Sequence, residues 1–262
     1  YLGQFGEQVT PGKFKAALLQ MGFTEVYEVA LGADMGAATE AEHYAERVAT
    51  GKQPFMLTSC CPSWAMLIRR YFPESADKIS NTLTPMVATA RTIKKKHPDH
   101  RVVFIGPCAA KKLEASRRTV RSDVDFVITF EELSAMFEAK GIDPAAVEET
   151  HRMHDATGAG RGYAVSGGVA GAIEKCVKAY YPDTQIHVEH VEGLENCRKI
   201  LLLAKMGKLN GALIEGMGCP GGCVAGAGTN APVAKAAALV KKTVDSSSRQ
   251  IPAKELAEIE LD

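Results

Sequence analysis

The chain has 262 residues with 46% hydrophobic content, 31 basic against 31 acidic side chains and seven cysteines, which suits one large or two small folded units and excludes a disordered chain. Its longest apolar runs, 199–206 and 234–240, are too short and too interrupted by lysine to span a bilayer, and balanced charge without a Lys/Arg stripe among aromatics argues against nucleic acid or an anionic membrane as partner. An odd cysteine count suits a reducing compartment, the cytoplasm, with some thiolates on metal; no signal peptide is visible, and a start at Tyr1 without methionine reads as a truncation.

Strand signals alternate with helical patterns along the whole length, the order expected of an α/β protein with mostly parallel sheets. The pattern predicts a helix over 11–21, a strand over 25–30 and a helix over 37–50 with an acidic start. A short apolar strand, 54–58, runs directly into Ser59-Cys60-Cys61-Pro62 and an amphipathic helix carrying Trp64, Leu67, Ile68 and Tyr71. A helix over 85–96, a strand over 101–105 and the loop Gly106-Pro107-Cys108 follow, then a strand over 125–129 and a helix over 131–140. The glycine-bearing stretch 142–162 has no firm period and reads as a long functional loop. Beyond it come a helix over 168–180, a strand over 185–191, a helix over 194–206, and a strand over 211–215 that enters Gly216-Met217-Gly218-Cys219-Pro220-Gly221-Gly222-Cys223. The end, 233–262, reads as charged helix broken at Ser246-Ser247-Ser248 and Pro252, and with no linker in sight any two lobes share an extensive contact.

Five cysteines obey one local rule: an apolar strand ends and the thiol appears in the loop just after it. Ligands of open α/β sheets bind beyond the carboxyl ends of strands, so Cys60/Cys61, Cys108 and Cys219/Cys223 are expected to converge on one crevice. Thiolates in a glycine-rich, weakly charged pocket suit an iron–sulfur cluster, whose anionic sulfurs take backbone N–H groups. Any one of these cysteines alone reads first as a packed small hydrophobe; it is the set of five that points to a ligand site. A structural zinc site prefers C-x2-C knuckles, whereas this chain offers C-x3-C and an adjacent pair; no C-x2-C dithiol occurs. Cys176 and Cys197 fall inside predicted helices and read as core residues.

Thr58-Ser59-Cys60-Cys61-Pro62-Ser63-Trp64, Gly106-Pro107-Cys108-Ala109-Ala110-Lys111-Lys112 and Glu215-Gly216-Met217-Gly218-Cys219-Pro220-Gly221-Gly222-Cys223 resemble, in order, the three motifs of the [FeFe] hydrogenase catalytic domain, and the likeness covers nearly the whole chain. The resemblance implies a single H-cluster domain of two α/β lobes, approximately 1–100 and 101–262, with mostly parallel sheets flanked by helices and the active site in the cleft between them. It implies that Cys61, Cys108, Cys219 and Cys223 hold a [4Fe-4S] cluster, with Cys223 also bridging to a diiron subcluster bearing CO, cyanide and a dithiolate. Cys60 is then the free thiol beside the open iron, Lys111 a donor to a cyanide ligand and Met217 a neighbour of the bridging carbonyl. Without the motifs, Lys111 reads equally as a solvated helix residue and Met217 as core.

For the outward proton route the resemblance implies Ser80, with Glu40 and Arg47 as outer members and His43 in place of a glutamate, beside Glu42. Histidine titrates near neutrality and suits a shuttle; a solvated helix position is the alternative. The chain departs from the family pattern at Gly106, at Val224-Ala225-Gly226-Ala227-Gly228-Thr229 and after Pro85, as a short divergent member does, and the missing strand and loop implied before Tyr1 read as truncation. The expected activity is reversible interconversion of H2 with two protons and two electrons. With no ferredoxin-like cysteine runs in the chain, electrons come from a ferredoxin or an electron-transfer domain, and the diiron unit from maturation proteins. The alternatives are an H2-sensing module, a diiron-free [4Fe-4S] protein of iron–sulfur assembly, against which the Cys60-Cys61 pair speaks, and a zinc-stabilised binding module.

Overall fold

The structure is a computed structural model that describes residues 1–149, 153 and 156–258. Two small parallel sheets carry the fold, one of three strands and one of two. In the first, β5 (Ala212–Met217) lies between β1 (Met56–Leu57) and β4 (His187–Glu192). All six residues of β5 are buried, as expected of a central parallel strand covered on both faces. Its side chains alternate: Leu213 and Met217 face α2 (Ala30–His43) and α8 (Gly168–Tyr180), while Ala212 and Ile214 face α3 (Pro62–Tyr71) and α9 (Leu194–Lys205).

The second sheet pairs β2 (Val103–Ile105) with β3 (Phe126–Ile128). Phe104 and Val127 pack toward α4 (Pro85–Lys96), and Ile105 and Ile128 toward α1 (Pro11–Met21) and α6 (Phe130–Lys140). Local chemistry fixes the helix ends. Thr129 and Glu132 form a capping box at the start of α6, Thr10 caps α1 through the N–H of Lys13, and Gly22 and Gly141 close α1 and α6 in the left-handed conformation. The short α5 (Ala110–Ala115) and α7 (Gly158–Gly162) and the C-terminal α10 (Val233–Asp245) complete the helices.

Sheet membership does not follow a division at residue 100. β1 joins strands from the last third of the chain, whereas β2 and β3 lie together within 103–128.

Three segments differ from the sequence reading. Residues 25–30 form no strand; 25–28 run along an internal cavity without a ladder partner, and Val29 and Ala30 already turn into the next helix, since β-rich composition forms a strand only where a neighbour supplies the other half of the hydrogen bonds. The helix expected from residue 37 begins at Ala30. Its Ala33, Gly36, Ala37, Ala38 and Ala41 are buried around the helix, so no polar face marks its start. At Gly32 it runs so close to α4 that a Cβ would stand 2.3 Å from the carbonyl oxygen of Pro85. The helix ends in a π-turn over Tyr44–Val48, and Tyr44 donates its hydroxyl to the carbonyl of Gly211 at 2.7 Å, tying the turn to the start of β5. Within the stretch read as a loop, 158–162 is helical, while residues 150–152 and 154–155 lie outside the described residues. The C-terminal helix stops at Asp245, and residues 259–262 also lie outside the described residues.

Candidate metal centre

β1 and β5 run parallel, so their carboxyl ends deliver their cysteines to one side of the sheet. Thr58 continues the ladder by donating its N–H to Ile214, and Ser59 then turns away, its hydroxyl held by the carbonyl of Thr82 at 2.8 Å. Cys61 sits at the N-cap of α3 in an extended conformation ahead of Pro62. Its Sγ accepts the N–H of Gly218, just past the end of β5, at 3.4 Å.

The loop after β5 is shaped by close backbone approach. Gly221 and Gly222 have φ of +94° and +88°, and a Cβ on Gly222 would meet the backbone nitrogen of Ser166 at 2.5 Å. Beyond Cys223, Gly226 comes so near Pro107 that a Cβ would lie 2.4 Å from its carbonyl oxygen, and Gly228 donates to that oxygen at 2.9 Å. The third cysteine loop is thereby tied to the second, where β2 ends at Gly106-Pro107-Cys108 and α5 begins.

Cys61, Cys108, Cys219 and Cys223 are electrostatic neighbours. Burial first, then the thiolates of Cys61 and Cys108, pushes the Cys223 thiol up to about 12; Lys111 opposes them and Cys219 adds to them. Burial, followed by Cys108 and Cys61, raises Cys219 as well. Among the described residues no three of His, Cys, Asp and Glu gather around one point as ligands of a single ion. A cubane asks for something wider, because its four thiolates sit on four different irons. The donor set is all thiol, it lies in loops rich in glycine N–H groups, and one such N–H already meets Cys61 Sγ. These residues fit an iron–sulfur cluster.

A cavity of about 350 Å³ adjoins the thiols, with Cys60, Cys61, Cys108, Lys111, Met217 and Cys223 among its lining. Lys111 is 8% exposed and donates to Glu114 at 2.6 Å and to the carbonyl of Cys60 at 3.2 Å. Glu114 is anchored in turn by the hydroxyl of Thr84 at 2.8 Å. Two of the three ammonium protons are thus engaged, and the remaining one is free for a ligand in the cavity. Met217 is the last residue of β5 and is buried both in the core and against the cavity.

Cys60 faces a different set of groups from its neighbour. Burial, then Glu40, raises its thiol well above the ordinary range, with Cys61, Glu215 and Cys223 adding to the effect. Glu40, on α2, is 2% exposed and hydrogen-bonds the hydroxyl of Ser80 and the N–H of Ser59. Burial raises its carboxyl to about 7 against the lowering effect of those two bonds. Ser80 is buried beside β1 and donates to Thr82 Oγ1 at 2.9 Å. His43 stands at the last residue of α2, half-buried, with Nδ1 unpartnered among the described residues; burial and then Arg47 lower its pKa. The sequence reading had put Glu40 among the outer groups. Glu40 instead lies on the buried side of α2, next to Cys60. Cys176 and Cys197 are fully buried, one on each face of the three-stranded sheet, and Cys197 Sγ donates to the carbonyl of Met217 at 3.5 Å.

Residues 1–227 match the family described as iron only hydrogenase large subunit, C-terminal domain. Iron hydrogenase 1 of Clostridium pasteurianum is 30% identical over 265 residues, covering 86% of this chain and 46% of its own length. The periplasmic [Fe] hydrogenase large subunit of Nitratidesulfovibrio vulgaris is 31% identical over 264 residues, 84% of this chain and 62% of its own. The chain therefore spans about half the length of these curated relatives. A cytosolic Fe-S cluster assembly factor, NAR1 of Meyerozyma guilliermondii, is 32% identical over 132 residues, 45% of this chain and 25% of its own. Among solved structures, [FeFe]-hydrogenase HydA1 from Chlamydomonas reinhardtii superposes with a TM-score of 0.73 at 22% identity, covering 97% of this chain and 82% of that one, a likeness of fold.

Proposed function

The chain belongs to the family of iron-only hydrogenase large subunits, in the part that forms their C-terminal domain, and from that premise we propose that it is one H-cluster domain interconverting H2 with two protons and two electrons. The adjacent pair Cys60-Cys61 carries the reading. Cys61 Sγ is turned to Gly218 and the other cluster thiols, while Cys60 neighbours a buried carboxyl. A cluster-binding chain needs the first thiol; a proton-handling site needs the second.

In this reading Cys61, Cys108, Cys219 and Cys223 would hold a [4Fe-4S] cluster that accompanies a diiron unit with CO, cyanide and a dithiolate. When bound, that pair supplies the iron at which dihydrogen is made or split and the route for its electrons. Lys111 offers its free N–H to an anionic ligand, held in direction by Glu114 and the Cys60 carbonyl. Met217 and the apolar lining exclude water. Cys60 Sγ holds the proton nearest the reacting centre, and Glu40 takes it over, with Ser80 next in line. A carboxyl raised to about 7 gives and takes protons with little bias near neutral pH. His43 follows Glu40 by three residues, at the last position of α2, where it would exchange the proton with solvent.

The cofactor belongs in the crevice between the two sheets, and the two-lobe description attaches to that crevice. Electrons reach it from a ferredoxin-type carrier or an electron-transfer domain, the diiron unit comes from maturation proteins, and the protein works in the cytoplasm. Among the described residues no helix is long and apolar enough to cross a membrane. The likeness to an assembly factor over 132 residues makes a diiron-free [4Fe-4S] protein the second reading. The test is an infrared spectrum of anaerobically purified protein after supply of a diiron precursor. Iron-bound CO and cyanide bands that shift under H2 are expected; a cubane-loaded sample without them favours the assembly protein. Bands without turnover would identify an H2-sensing module.

A further inference from the structure

Tyr163 follows α7 and is 8% exposed, its ring packed among Ala33, Ala37, Ala159 and Val169. A phenylalanine would fill the same space. Only the hydroxyl distinguishes the two, and here it is buried with no hydrogen-bond partner among the described residues. It lies against α2, 3.8 Å from where a Cβ on Gly36 would stand. Glu40 is one helical turn further along the same face of α2, and its Oε1 is a second buried atom without a partner. Glu40, then Cys60, are the foremost charged neighbours of the Tyr163 hydroxyl. Both Tyr163 and Cys60 line the cavity.

An orphaned donor and an orphaned acceptor one helical turn apart are costly separately and satisfied together. Neither atom has a partner within direct hydrogen-bond distance among the described residues, and two such polar atoms beside a cavity are what one buried water bridges. We propose that Tyr163 is a positioning residue of the proton route: its O–H, through one buried water shared with Glu40 Oε1, holds the Glu40 carboxyl in place beside the Cys60 thiol. The remaining carboxyl oxygen is left to Ser80 and Ser59, so each oxygen of Glu40 has its own fixed partner.

The proposal rests on the proton route described above, and its test separates the two. In the cofactor-free chain at pH 5, below the value of about 7 for Glu40, the carboxyl C=O band is identified by infrared difference between wild type and Glu40→Gln. In Tyr163→Phe that band is expected to move to higher frequency, as a carbonyl that loses a hydrogen bond does. An unmoved band overturns the proposal. Thermal unfolding gives a second reading: removing an unpartnered hydroxyl from an apolar site stabilises a protein, whereas removing a bonded one does not. A Tyr163→Phe variant more stable than wild type would therefore also overturn it. After cofactor loading, a moved band in a chain that never handles H2 sinks the hydrogenase reading and leaves the Tyr163–Glu40 link standing. An unmoved band in a chain that turns over H2 does the reverse.

Discussion

Glu40→Gln in the chain without its iron should change sign with pH. An unfolded glutamate ionises near 4.5, whereas burial holds Glu40 in the fold to about 7. Below pH 4.5 both states are protonated and the carboxyl costs nothing. Between 4.5 and about 7 the unfolded chain releases its proton while the folded one keeps it, so stability falls as pH rises. Above 7 the fold carries an ionised carboxylate that is 2% exposed, and a rise from 4.5 to about 7 corresponds to a cost of about 3 kcal/mol. Glutamine removes that cost. It also weakens the bonds to Ser80 and Ser59, by about 1 kcal/mol in total. The variant should thus be slightly less stable than wild type at pH 5 and more stable by about 2 kcal/mol at pH 8, a melting-temperature gain of about 5 °C for a chain of this size. Thermal and urea unfolding under reducing conditions across pH 5 to 8 measure both limits. A difference that stays constant with pH, or one that favours wild type more at pH 8 than at pH 5, would refute the burial argument for this carboxyl.

Cys60→Ala should retain the iron content of wild type and lose most hydrogen turnover, whereas Cys61→Ala should lose iron; iron analysis beside an H2 assay separates the two. Asp125 carries the opposite pH sign to Glu40. Burial would raise its carboxyl, but the Val102 N–H, Arg101 and Lys94 together hold it down at about 2. The stability this contributes is present above pH 3.8 and is lost as pH falls toward 2. Arg101 is 80% exposed, so after solvent screening Asp125→Asn should cost about 1–2 kcal/mol at pH 7 and little at pH 2, read by denaturant unfolding at the two values. Gly216→Ala would place a methyl 2.3 Å from the fully buried ring of Trp64, and the forced shift of β5 against α3 should cost about 1–3 kcal/mol; an unchanged unfolding midpoint would count against that contact. Arg161 binds Glu28 with two hydrogen bonds of 2.6 and 2.9 Å, and Arg161→Ala should cost about 3–5 kcal/mol by leaving a buried carboxylate unpaired, a loss that Glu28→Gln in the same chain should partly restore.

What the sequence made legible follows from where its signals are local. Helices with proline at the first turn and glycine or a basic turn at the end, such as 11–21 and 85–96, match the structure at both bounds. So does the rule that a strand end precedes each thiol, because β1, β2 and β5 each stop just before a cysteine loop. The start of α2 was hidden because the helix is buried on all sides, and hydrophobic periodicity records only helices with a wet face. The strand expected over 25–30 needed a partner that composition cannot supply. The rank of Glu40 over His43 depends on which turn of α2 lies over Ser59, a matter of helix placement between elements far apart in sequence.

The three-stranded sheet also constrains how the protein comes to exist. Cys61 Sγ meets the N–H of Gly218 across 157 residues, and β1 has no ladder until β5 has been made. While the ribosome is still translating the middle of the chain, the first thiol pair stands beside a two-residue strand that has its bridge to Ile79 but not yet its ladder with β5, and contacts of such long sequence separation are slow to form. The binding loops consequently assemble only after the last of the five cysteines has emerged. Nascent chains stalled before residue 212 should therefore carry no iron.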